Sequence, residues 1–303
     1  MGQRIQHDVR RQCVTIRRER RKVRGIGLAS ESANELETAR AANRHPPKAA
    51  GQPALPKSVV VLRFVDDNVA RAQMDPMKPV VIVAGVGPGI GTSVARAFGA
   101  EGFGIALLAR DSARLAKQRA ELTAAGITAT PFIVDLADAA ATRNAVEHVR
   151  TWAGGDPSSL VYNAFAVQQG SADQLDVEES QRAMRVNFIA ATQLTALVAP
   201  AMRASRTGSL LFTGGGAALQ TYAGLSSLCA GKAALRMWAL TLAEDLAGTG
   251  IRVGTVTVHG RVERGTAFDP DDIAAALVRL HRGTNEGVEI HFTDSAAIST
   301  SKT

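Results

Sequence analysis

The sequence predicts an α/β protein over residues 78–303: a doubly wound, parallel, seven-stranded sheet with helices on both faces. Three observations carry that expectation. Short β-branched runs alternate with longer segments of helical spacing, the pattern of strand–helix–strand units. The runs are apolar throughout, as in Val80-Val81-Ile82-Val83-Ala84, which marks strands buried on both sides. A glycine-rich turn, Gly85-Val86-Gly87-Pro88-Gly89-Ile90-Gly91, joins the first such run to the first helical segment.

In chain order, Pro79–Ala84 reads as a buried strand and Thr92–Glu101 as a helix. Gly104–Ala109 is a second strand. Asp111 then opens a helix over Ser112–Ala125, as an N-cap that accepts from the first free amides. Thr128–Val134 is a third strand, with a helix from Ala137 to Trp152 behind it, and Ser159–Tyr162 a short fourth. One long helix is expected over Glu178–Ala204, a fifth strand over Ser209–Thr213, a helix over Leu225–Ala247 and a sixth strand over Ile251–Val258. Asp269-Pro270 starts a last helix reaching His281, with proline at its favoured first position, and Glu289–Phe292 closes the sheet. Ligands of such sheets bind at the carboxyl ends of the strands.

The chain has 303 residues, 46% of them apolar, enough for one sizeable core and something extra. Its net charge of +7 is localised: residues 1–77 hold fifteen Lys/Arg against eight Asp/Glu, while the rest hold twenty of each. The neutral part has no nucleic-acid footprint. Residues 1–77 read as a basic, disordered extension, with a charge run at Arg17–Arg24, a Pro/Ala/Lys linker at 44–57 and one isolated strand-like stretch, Ser58–Val65. A nucleic-acid arm and a transit peptide are the alternatives for it, and either Met74 or Met77 is a candidate start of the native chain. No apolar run approaches the roughly 20 residues of a membrane span, and no apolar segment of a secretory signal follows the first charges. Two distant cysteines, Cys13 and Cys229, argue against a disulfide framework or a zinc site and fit a reducing cytoplasm.

The glycine turn has the makings of a phosphate site. Glycine permits the turn and close backbone approach, and a helix start offers free N–H groups with a favourable dipole. The spacing Gly85-x-x-x-Gly89-x-Gly91 resembles the signature of the short-chain dehydrogenase/reductase family, and the resemblance continues in order along residues 79–293. Val134-Asp135-Leu136 resembles the element whose aspartate contacts adenine. Tyr162-Asn163-Ala164-Phe165 resembles the family's Asn-Asn-Ala-Gly with its first Asn and its Gly replaced. Arg185-Val186-Asn187-Phe188 resembles the element that holds the active-site asparagine. The resemblance implies a Rossmann-like fold, a nicotinamide cofactor bound by Gly85, Gly89, Ile90, Gly91, Asp135, Leu136, Asn163, Ala164 and Lys232, and pairing into a homodimer or homotetramer. The long helices are the ones members use to pair, and Leu235, Trp238, Leu240 and Leu242 place apolar area on more than one face. Cofactor choice is read at the end of the second strand. Ala109 stands where the family's NAD enzymes carry a carboxylate for the ribose hydroxyl, and Arg110 follows it, which favours the 2′-phosphate of NADP.

The family's reductases protonate a carbonyl oxygen with a Tyr, whose acidity is tuned by a Lys four residues later on the same helical face, beside a Ser and an Asn. The resemblance places Lys232 and Asn187 at two of these positions. The other two fall on Leu228 and Gly215, which carry no proton to give. Tyr222, Ser226, Ser227, Cys229, Thr213 and His259 are the nearby groups that could stand in, and none matches the family pattern. The family's later Pro-Gly reads His259-Gly260, and the short loop Arg261–Phe268 implies an open substrate site with solvated charges. The expected function is therefore a divergent NADP-dependent oxidoreductase acting on a small carbonyl or alcohol. A catalytically degenerate NADP-binding sensor, scaffold or partner subunit is the alternative.

Overall fold

The computed structural model describes residues 78–284 and 287–294. The basic extension and its strand-like stretch Ser58–Val65 lie outside the described residues.

Seven strands form one sheet in the order β3-β2-β1-β4-β5-β6-β7, every neighbouring pair parallel. They are β1 (Val80–Ala84), β2 (Gly104–Ala109), β3 (Ala129–Ile133), β4 (Ser159–Tyr162), β5 (Gly208–Thr213), β6 (Ile251–Val258) and β7 (Glu289–Phe292). The helices are α1 (Ile90–Ala100), α2 (Ser112–Ala124), α3 (Ala139–Ala153), α4 (Val177–Met184), α5 (Ala190–Ser205), α6 (Ser226–Asp245) and α7 (Pro270–Arg282). The expected α/β class, strand count and doubly wound arrangement are all present.

Alternation along the strands divides the core. Val80, Ile82 and Ala84 of β1 pack with residues of α3, α5 and α6, while Val81 and Val83 pack with residues of α1, α2 and α7. All five side chains of β1 are buried, as are those of β4 and β5. Each aliphatic side chain removed from water contributes roughly 1.5–3 kcal/mol. Caps end the helices as the sequence reads them: Asp111 accepts from the Arg114 amide, and Asp269 precedes Pro270 and accepts from the Asp271 amide.

One element differs from expectation. The long helix over 178–204 is two helices, α4 and α5, joined by a π-helical turn at Arg185–Ile189. The turn holds Asn187. The apolar surplus on α6 is also mostly spent internally: Leu235 is buried, and Trp238 packs edge-on against Phe188 and Phe212. Met237, 63% exposed, is the large apolar side chain α6 leaves to solvent.

Candidate active site

The order of the sheet reverses between β1 and β4, so a crevice opens beyond their carboxyl ends. The glycine turn leaves β1 there. Gly85 adopts φ +90°, and a Cβ on it would lie 2.3 Å from the Ala164 nitrogen, so only glycine lets the turn press against the β4 loop. Asn163 ties the two together. Its amide donates to Ala84 O at 2.8 Å, its Nδ2 to Gly85 O at 2.8 Å, and its Oδ1 accepts from Thr213 Oγ1 at 3.0 Å. Gly91 is equally crowded: a Cβ there would lie 2.8 Å from Val86 Cα. Gly87, by contrast, faces open space. Thr92 closes the turn by donating through both its amide and its hydroxyl to Gly87 O. Among the described residues no protein acceptor takes the amides of Gly89, Ile90 and Gly91, at the N-terminus of α1. These donors, beside a bare Cα, fit a diphosphate.

Arg110 is exposed just beyond β2. Asp135 lies beyond β3, where its Oδ1 accepts from the Ala137 amide at 3.0 Å and its Oδ2 from Arg182 Nη2 of α4 at 2.7 Å. Burial raises the Asp135 carboxyl, but the Arg182 bond, the Ala137 amide and the charges of Arg182 and Arg110 outweigh it and hold the group low. Arg182 escaped the sequence reading because it is 47 residues from its partner in a helix of mixed charge. Leu136 is buried beside Asp135.

Lys232 of α6 is 7% exposed, and its ammonium donates to Thr213 O at 2.7 Å, at the end of β5. Burial pushes it down to about 8. The ring of Phe165, 61% exposed, lies 5.9 Å from Nζ, within range of a cation–π contact. Asn187 is fully buried. It pairs with the backbone of Ala166, accepting from its amide at 2.7 Å and donating to its carbonyl at 2.8 Å. The bare Cα of Gly231, beside Lys232, packs on the Asn187 side chain. Thus Asn187 and Lys232 approach the β4–β5 ends from neighbouring elements. Leu228, one turn before Lys232, is half-buried.

The other groups near the strand ends are largely engaged. Thr213 Oγ1 donates to Asn163 Oδ1 and Tyr162 O. Tyr162, the replacement in the β4 motif, donates its phenolic proton to Val186 O inside the core, where burial pushes it far above the ordinary tyrosine value. Ser227 Oγ exchanges hydrogen bonds with the backbone of Gln168. His259 Nε2 lies 3.0 Å from His291 Nδ1 on β7; burial first, then the charge of His291, hold it low against the pull of Glu289. Arg261 and Arg264 are both exposed, as expected, but Arg264 also pairs with Asp271 at 2.8 Å and donates to Ser93 Oγ of α1 at 3.3 Å. The loop after β6 is thereby fastened beside the glycine turn, with Val262 Cγ1 3.9 Å from where a Cβ on Gly89 would stand. Among the described residues no helix is long and apolar enough to cross a membrane, and no cluster of three metal-ligating side chains forms.

Residues 79–263 match the family model described as short chain dehydrogenase. The chain belongs to that family. It is 29% identical over 211 residues to 2-(S)-hydroxypropyl-CoM dehydrogenase 3 of Xanthobacter autotrophicus, covering 67% of this chain and 82% of that one. A probable NADP-dependent dehydrogenase of Haemophilus influenzae is 28% identical over 66% of this chain and 86% of its own. Among solved structures, a metagenomic short-chain oxidoreductase in complex with NADP superposes with a TM-score of 0.65 at 28% identity, over 71% of this chain and 97% of that one. The family places the chain among oxidoreductases that use nicotinamide cofactors.

Proposed function

We propose that this short-chain dehydrogenase is an NADP(H)-dependent oxidoreductase acting on a small carbonyl or alcohol. The observation that carries the reading is the pairing of three amides at the start of α1, free among the described residues, with a β2 that ends on Ala109 and is followed by the exposed Arg110, the next carboxylate, Asp111, being turned to capping α2. Gly85, Gly89, Ile90 and Gly91 would hold the diphosphate, and Arg110 the 2′-phosphate. Asp135 and Leu136 would border the adenine, and Asn163 and Ala164 its ribose. Lys232 has spent one N–H on Thr213 O and keeps two for the nicotinamide ribose hydroxyls. Asn187 acts through the Ala166 backbone that it clamps. Bound there, the dinucleotide supplies or takes the hydride. The NADP complex of the metagenomic oxidoreductase and the name of the Haemophilus relative support the cofactor choice. Under the family resemblance the proton-donor positions fall on Leu228 and Gly215, so this chain's proton comes from elsewhere.

The test is direct. NADPH and NADH are titrated by fluorescence, and NADPH consumption is followed with a panel of aldehydes and ketones. Saturable binding with a preference for NADPH, and turnover of at least one compound, is the expected result. Equal affinity for both cofactors removes the NADP assignment, and tight binding without any turnover removes the reductase assignment. Two companion proposals have their own measurements. The nucleotide-binding domain comprises 78–303, so a chain beginning at Met77 should keep the melting temperature of the full one. The chain pairs into a dimer or tetramer, which light scattering at micromolar concentration would reveal.

A further inference from the structure

We propose that Tyr222 supplies the proton in this chain's hydride-transfer reaction, from a position outside α6. The inference rests on the oxidoreductase reading above and assigns it the missing acid.

The segment between β5 and α6 is built to bring this side chain back to the strand ends. Gly216–Ala218 form a single tight helical turn directly after the β5 loop, with Gln220 N donating to Gly216 O at 3.0 Å. A second turn follows, closed by Leu225 N donating to Tyr222 O at 3.1 Å, with Gly224 at φ +79° in the third position, where left-handed backbone is required. The result is that Tyr222 Oη lies 3.3 Å from where a Cβ on Gly216 would stand, and that same point is 3.5 Å from His259 Cα. The phenol therefore lies beside the loops that follow the carboxyl ends of β5 and β6. Lys232 Nζ reaches the same end of β5, on Thr213 O. The bare Cα atoms of Gly215 and Gly216 keep the approach open: a Cβ on Gly215 would meet nothing closer than Val258 O at 3.9 Å.

The hydrogen-bond pattern singles out this phenol. Gln220 Nε2 donates to Tyr222 Oη, so the oxygen is an acceptor and its own proton is taken by no acceptor among the described residues. Other candidates are committed: Tyr162 donates to Val186 O, Thr213 to Asn163 and Ser227 to Gln168, while His259 shares one ring nitrogen with His291 and is held low by burial. Ser226 Oγ has no partner among the described residues, but it is buried and an aliphatic hydroxyl is a far weaker acid. Tyr222 is 39% exposed, so water can return the proton.

The step balances. A hydride from the dihydronicotinamide forms the new C–H bond at the carbonyl carbon, the C=O π pair moves to oxygen, and the Tyr222 O–H bond breaks to protonate that oxygen. The carbonyl is reduced to the alcohol, the dihydronicotinamide is oxidised, and the phenolate is reprotonated from water.

Two measurements test the assignment. Nitration of Tyr222 by tetranitromethane, read by mass spectrometry, should slow several-fold when NADPH is added; this needs no turnover, and an unprotected Tyr222 overturns the placement. Tyr222→Phe should lower kcat by about 10²–10⁴-fold, the usual contribution of a general acid, with NADPH affinity unchanged. If Tyr222→Phe retains the kcat of the unmodified protein, the acid lies elsewhere and the reductase reading still stands. If the unmodified protein binds NADPH but consumes none with any carbonyl, the reductase reading itself fails and takes the proton-donor role with it.

Discussion

Asn187 and Gly231 interlock. A Cβ on Gly231 would lie 2.4 Å from Asn187 Cβ and 2.9 Å from its Nδ2, so α6 and the π-turn approach only because residue 231 has no side chain. In an ordinary helix interior Gly→Ala stabilises by roughly 0.5–1 kcal/mol. Here the sign reverses. Gly231→Ala should cost about 1–3 kcal/mol through overpacking and dislodge Asn187 from Ala166. In a denaturant melt, a Gly231→Ala protein as stable as the unmodified one would count against this packing.

Arg110 is the predicted determinant of cofactor choice. A charge-assisted bond to phosphate is worth about 1.5–3 kcal/mol, so Arg110→Asp should weaken NADPH binding by roughly 10–100-fold and bring NADH level with it or ahead. Fluorescence titration reads both affinities. Unchanged NADPH affinity would show that the 2′-phosphate is held elsewhere.

Lys232 should leave a mark on stability against pH. Its folded value of about 8 lies below the ordinary 10.5, so the unfolded chain holds the proton more tightly. Stability therefore rises with pH between these values. The burial penalty is fully present below about pH 8, is on the order of 3 kcal/mol, and is relieved by about pH 10.5. Against a Lys232→Met protein, whose curve lacks this contribution, the unmodified chain should gain stability as pH rises from 8 to 10. A constant difference across that range would mean the ammonium is not desolvated.

Leu228 and Gly215, the positions that the resemblance sets against the family's Tyr and Ser, can be changed to those residues. Gly215 has φ −171°, extended backbone that any residue adopts, and space for a side chain. Gly215→Ser with Leu228→Tyr should raise kcat on simple ketones, by up to about 10²-fold where the acid step limits. Adding Lys232→Ala should remove the gain, because a tyrosine at 228 would depend on the cation one helical turn away. No gain, in a protein that still binds NADPH, would place the reacting carbonyl out of reach of position 228.

The strands were legible because parallel strands buried on both faces read as unbroken apolar runs; β2, β4, β6 and β7 fall where the sequence puts them, to the residue. The glycine turn was legible because Gly85 and Gly91 answer to local sterics. The π-turn at Asn187 was not, since one extra residue in a helical turn barely disturbs the apolar spacing from which helices are read. Pairings set by tertiary approach were equally hidden. Nothing near Asp135 announces Arg182, and the place of Tyr222 depends on two turns whose joint direction the residues 216–225 do not reveal.

The central place of β1 bears on how the chain is made. On the ribosome β1 emerges first, and β2 and β3 soon complete one flank of it. Its other flank waits for β4, which follows only after two more strands and three helices. At about 5–20 residues per second, the apolar edge from Val81 to Ala84 stays uncovered for seconds. An unpaired edge of that kind templates aggregation. Nascent chains stalled before Ser159 should therefore be the sticky ones, and the arrival of β4 both seals that edge and creates the crevice in which the glycine turn can work.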